Sequence, residues 1–72
     1  MKIKNPWVAQ RRLETILSAR RMFEDGVPVS VIARELGITR ETVYKYLKPE
    51  TDLFIEELKK VVRGEEREYR FE

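Results

Sequence analysis

Seventy-two residues allow one small domain, and a chain of this size buries only about 60 % of the surface that its unfolded form exposes. Cys and His are both absent, which excludes disulfides, Cys-based metal sites and the commonest general base and zinc ligand, and disfavours an enzyme. With 39 % charged and 42 % hydrophobic residues the chain reads as globular, and its net charge of +2, taken alone, argues weakly against nucleic acid as the partner.

The first helix is expected over about residues 6–25. Asn5 is a good N-cap, and Pro6 suits the first helical position, where its missing N–H costs nothing. Ala9, Leu13, Ile16, Leu17 and Phe23 recur at three- and four-residue steps and form an apolar stripe, with Arg11, Arg12, Arg20 and Arg21 largely off it. Trp7 is expected to cover the end of the core or pack against the C-terminal helix rather than stack on a base. Gly26 fits a left-handed helix end.

Val27-Pro28 makes a corner, since Pro28 can begin a helix but not sit inside one. A short helix over about 29–36 turns Ile32, Ala33 and Leu36 inward and breaks at Gly37-Ile38. Thr39 caps a third helix that runs to Leu47 or Lys48, and Pro49 stops it. A fourth helix begins with Thr51 or Asp52 as its cap. Its stripe is Leu53, Phe54, Leu58, Val61 and Val62, and Gly64 ends it. Residues 65–72 alternate apolar and charged, and three readings stay open: a short strand, a frayed helix or a disordered tail. The expected fold is therefore all-α: a three-helix core, an additional C-terminal helix, and short flexible or strand-like termini. The expected division is an arm over 1–5, a binding domain over 6–48, and a C-terminal helix and tail over 49–72.

The charge is not evenly spread. Residues 1–48 carry ten basic residues against five acids, whereas residues 49–72 carry five against eight. Such asymmetry favours a nucleic-acid partner for the basic part, against a merely uneven solvated surface.

Val29 to Leu47 is the informative stretch. Two short helices flank a tight turn at Gly37, with the small Ala33 four positions earlier and a matching apolar phase at Val43, Tyr46 and Leu47. This is a helix-turn-helix layout. Ala33 has to be small where the next helix crosses, Gly37 accepts a positive φ, and Ile38 joins Ile32, Leu36, Val43 and Leu47 around Phe23. With Val43 and Leu47 inward, Arg40, Glu41, Tyr44, Lys45 and Lys48 fall on the opposite face.

Residues 26–49, GVPVSVIARELGITRETVYKYLKP, resemble the homeodomain-like helix-turn-helix of resolvase/invertase-type DNA-binding domains. "IARELGIT" and "TVYKYL" are specific as a set. Pro28 departs from the Ser or Thr that such sequences often place at the start of the middle helix. The resolvase catalytic domain has no counterpart in the match, so recombination by these residues alone is not expected. The resemblance implies that helix 3 lies in the major groove of double-stranded DNA. Arg40 and Lys45 would then donate to guanine, and Glu41 would accept from cytosine N4 or simply favour the positive helix end. Tyr44 would reach a phosphate or a thymine methyl, and Thr39, Thr42 and Lys48 would suit phosphate oxygens. Tyr46 stays open between core and phosphate contact. Lys2 and Lys4 precede helix 1 as an arm for the minor groove; competing readings are a strand paired with residues 68–72 and simple disorder.

The C-terminal helix has two open roles: capping the small core, or presenting Leu53, Phe54, Leu58 and Val61 to a second copy. One recognition helix gives three or four base contacts at ~1–3 kcal/mol each, too few to single out a site in a genome, so a homodimer through residues 51–72 is expected. The expected function is sequence-specific DNA binding in transcriptional regulation or at a repeated element, without a cofactor or metal. Alternatives are a protein-interaction module on the same scaffold, or RNA binding. No secretory leader or ~18-residue apolar span is seen, and a cytoplasmic, nucleoid-associated location is expected.

Overall fold

The computed structural model describes residues 5–63, and these form four helices: α1 (Pro6–Glu24), α2 (Val29–Leu36), α3 (Arg40–Leu47) and α4 (Thr51–Arg63). No strand occurs among the described residues. Lys2, Lys4, the strand-pairing alternative and the tail over 65–72 lie outside them.

The helix ends follow local chemistry. The Asn5 side chain accepts from the Trp7 amide at 2.9 Å ahead of Pro6, satisfying one of the donors that open α1. At the other end Gly26 (φ 88) lets the Gly26 amide bond Phe23 O and the Val27 amide bond Met22 O, both at 3.0 Å. Gly37 (φ 70) repeats the arrangement after α2, where the Ile38 amide reaches Ala33 O at 2.9 Å. That bond makes the turn tight enough for α3 to start three residues after Gly37. Pro28 precedes α2 without a side-chain cap bond, as its chemistry requires.

The core is one cluster built from all four helices: Ala9, Ile16 and Ala19 of α1, Ile32 and Ala33 of α2, Val43 and Tyr46 of α3, and Ile55, Leu58 and Val61 of α4. Ala19, off the expected stripe, is fully buried, and Met22 packs against the same cluster. Leu36, Ile38 and Leu47 pack at its edge as expected.

Four expected apolar placements are corrected. Trp7 is 75 % exposed, because it lies two residues, about 200° around the helix, from the buried Ala9. Leu53 is 76 % exposed for the same reason relative to Ile55. Leu17 is 44 % exposed, about 100° away from Ile16. Phe23 is not the centre around which the helix-turn-helix packs, since half of it faces solvent. Phe23 lines a shallow surface groove with Arg20, Leu47 and Pro49, while Met22 in the same turn of α1 packs against the core. Ile16 and Ala19 fill the central place instead.

The start of α4 also differs. Thr51 and Asp52 lie inside the helix rather than capping it. Turn bonds from the Thr51, Asp52 and Leu53 amides to Lys48, Pro49 and Glu50 carbonyls lead the chain into α4. On α4, Ile55, Leu58 and Val61 are buried in the core of their own chain, where α4 packs against α1.

Candidate nucleic-acid interface

The site is the outer face of α3 and the device that fixes it. Thr39 caps the helix: its Oγ1 accepts from the Thr42 amide at 3.1 Å and shares a 2.9 Å bond with the Thr42 hydroxyl. Glu41 lies in the first turn, where a carboxylate favours the positive end of the helix. Val43 is fully buried and Tyr46 nearly so, at 7 % exposure. Tyr46 is thereby a core residue along its ring, which resolves the alternative that its sequence position left open. With those two anchored, Arg40, Glu41, Tyr44 and Lys45 are exposed, and Lys48 is exposed just past the helix end. Thr42 is half-buried on the flank. The residues expected to contact DNA on α3 therefore do share one accessible side of the domain. Tyr44, at 54 % exposure, is the large apolar surface within it.

The C-terminus of α3 is held by a residue that sequence reasoning assigned to the surface. Arg20 of α1 donates from Nε to Tyr46 O at 2.8 Å and from one terminal nitrogen to Lys48 O at 3.0 Å. Its other terminal nitrogen meets Asp52 Oδ1 of α4 at 2.6 Å. A planar guanidinium suits this task, since its donors diverge in a fixed fork and its charge complements the negative end of a helix. The Thr51 hydroxyl, buried at the same junction, donates to Lys45 O at 2.6 Å. Two side chains from outside α3 thus satisfy carbonyls that the helix end leaves open. The signal in the sequence was faint: Arg20 lies one residue from the buried Ala19 and four from Ile16, so its stem starts near the core edge.

Arg20 gives a direct test of this junction. Arg20→Ala is expected to lower stability by about 2–3 kcal/mol, the scale of losing charge-assisted bonds to carbonyls. Asp52→Ala should cost under about 1 kcal/mol, because Asp52 is 64 % exposed and water screens the pair. Arg20→Lys should recover less than half of the loss, since one ammonium cannot reproduce the fork. Urea denaturation followed by circular dichroism reads all three, and equal costs for Arg20→Ala and Asp52→Ala would show that the carbonyl bonds carry nothing.

Among the described residues no group of His, Cys, Asp and Glu is arranged to hold a metal ion, and no helix is long and apolar enough to cross a membrane.

Three helices with a glycine turn between α2 and α3, and an exposed cationic face on the second of these two, define a DNA-binding helix-turn-helix domain, with α4 completing the core. The family model described as the helix-turn-helix domain of resolvase matches residues 10–50. The chain belongs to this family. The match runs from the first half of α1 to the residue before α4, so α4 is an addition outside it. No curated protein and no solved structure matches the chain.

Proposed function

We propose that the protein binds double-stranded DNA sequence-specifically, as a small transcriptional regulator or a binder of a repeated element, with α3 in the major groove. The observation that carries this reading is the two-sidedness of α3. Val43 and Tyr46 are locked in the core while Arg40, Glu41, Tyr44 and Lys45 are all accessible together. Arg40 and Lys45 are assigned to guanine O6/N7, and Glu41 to cytosine N4. Tyr44 is assigned to a thymine methyl, and Thr39, Thr42 and Lys48 to phosphate oxygens. Lys2 and Lys4 are assigned to the adjacent minor groove. The activity is binding, at the nucleoid, and needs no cofactor.

A pair of half-sites remains the proposed way to reach selectivity, because the contacts of one helix are too few. The homodimer expected through residues 51–72 changes in kind, however. Leu58 and Val61 are buried in their own chain, and the exposed residues of α4 are Leu53 together with Asp52, Glu56, Glu57, Lys60 and Arg63. Two copies brought together by DNA fit that surface better than an apolar seam along α4.

The test is selection of bound sequences from a random duplex pool at fixed salt, then light scattering with and without the selected duplex. The expected result is an enriched consensus in two half-sites and two chains per duplex. Enrichment of single-stranded or structured RNA instead, or of no nucleic acid, would overturn the reading in favour of RNA binding or a protein-interaction module.

A further inference from the structure

We propose that the DNA backbone is held in a groove between α1 and α3, at the edge of the recognition face, with Arg12 as its principal phosphate contact and Glu50 as a charge that weakens binding. The inference rests on the DNA-binding reading and extends it to α1 and to the start of α4.

The groove has a volume of about 600 Å³. Arg12 and Thr15 of α1 form one wall, and Thr42 and Lys45 of α3 form the other. Phe54 contributes an apolar surface from α4, and Glu50 stands at the rim. A shallower groove shares Arg12 and Thr15 and continues to Arg11 and Val8, towards the N-terminus of α1.

Three features favour a sugar–phosphate strand as the occupant. First, cations stand on both walls with hydroxyls beside them, the donor set that phosphate oxygens take. Neither Arg12 nor Lys45 has an ion-pair partner among the described residues, whereas Arg20 of the same helix is committed to Asp52 and two carbonyls. In Arg20 the Nε and both terminal nitrogens already donate within the chain, whereas Arg12 keeps its donors for phosphate. Second, the groove is open to solvent rather than enclosed, so an extended strand can lie in it. Its apolar side fits the faces of deoxyribose. Third, Lys45 and Thr42 connect the groove to the face of α3, so a base contact and a backbone contact can be made by one docking pose. Glu50 is the only acid on the lining, and a carboxylate beside phosphate is repulsive.

The full chain is titrated with its selected duplex, and with an unrelated duplex, across a range of salt. Arg12→Ala is expected to weaken binding to both duplexes by a similar factor, about 3- to 10-fold, and to make the slope of log affinity against log salt shallower by about one. Arg12→Lys keeps the charge and should keep the slope. Glu50→Gln should tighten binding about 2- to 3-fold at low salt, and the gain should shrink as salt rises. Arg21→Ala is the control: it removes the same charge from the same helix, but nine positions on and therefore about 180° around it. It should leave affinity and slope unchanged.

If Arg12→Ala behaves as Arg21→Ala does while Lys45→Ala still impairs binding, the groove proposal is overturned and the recognition-helix reading stands. If the unaltered chain binds no duplex at any salt, both fall. Thermal melts of each variant separate lost binding from lost folding, and Arg12→Gln, which keeps most of the side-chain stem, repeats the test should Arg12→Ala prove unstable.

Discussion

Leu58→Ala is expected to lower stability by about 2–5 kcal/mol, the range for emptying a buried leucine site. Leu58 is 1 % exposed and sits between Ile55 and Val61 on the face of α4 that packs on α1. A chain of 72 residues holds roughly 4–11 kcal/mol in total at about 0.05–0.15 kcal/mol per residue, so this single change removes a large share of it. Leu53→Ala, on the same helix but 76 % exposed, should stay within about 0.5 kcal/mol. The comparison decides whether α4 belongs to the folding unit. The expected division at residue 48, with a self-sufficient binding domain before it, would make Leu58 dispensable for residues 6–48. Equal midpoints for the two variants in urea would support that division. A large gap would show that the three-helix core needs α4 to close it, and that the family match ending at residue 50 stops short of the structural unit.

What the sequence made legible was local. Asn5, Pro6, Gly26, Gly37 and Thr39 each act on neighbours within five residues, so their chemistry could be read from the chain and the structure reproduces it. The stripe in α4 was legible as a stripe, but amphipathicity does not name the surface that covers it, and the part of it that packs on α1 was expected to meet a second copy. Arg20 was not legible. Its partners lie 26, 28 and 32 positions away, and nothing in a periodic pattern distinguishes a solvated arginine from one that ends another helix. Trp7 and Phe23 failed in a different way. Both were expected in or over the core, yet Phe23 lines a shallow surface groove with Leu47 and Pro49, and Trp7 lies about 200° around α1 from the buried Ala9. On the candidate site, the exposed residues of α3 could be grouped from its period, while the groove lined by Arg12 and Glu50 was invisible because α1 and the α3–α4 corner come together only in three dimensions.

The double variant Arg40→Ala/Lys45→Ala is expected to abolish discrimination between the selected duplex and an unrelated one. Each base-edge pair contributes about 1–3 kcal/mol of discrimination, and the two residues are five positions apart, about 7.5 Å along the helix, so their losses should add to about 2–6 kcal/mol. That is roughly 30-fold or more at the low end, enough to bring a specific complex down to the level of non-specific binding. Folding should be nearly untouched, because both side chains are exposed and the Lys45 carbonyl that receives Thr51 belongs to the backbone. Lys48→Ala supplies the contrast. As a phosphate contact it should weaken both duplexes alike and flatten the salt dependence by about one, leaving discrimination intact. The two patterns cannot be exchanged: base readout changes the ratio between sequences, and backbone contact changes the common affinity. An interaction module on this scaffold would show neither. If the double variant lowered affinity for both duplexes equally, Arg40 and Lys45 would be phosphate contacts, and sequence reading would have to pass to Glu41 and Tyr44.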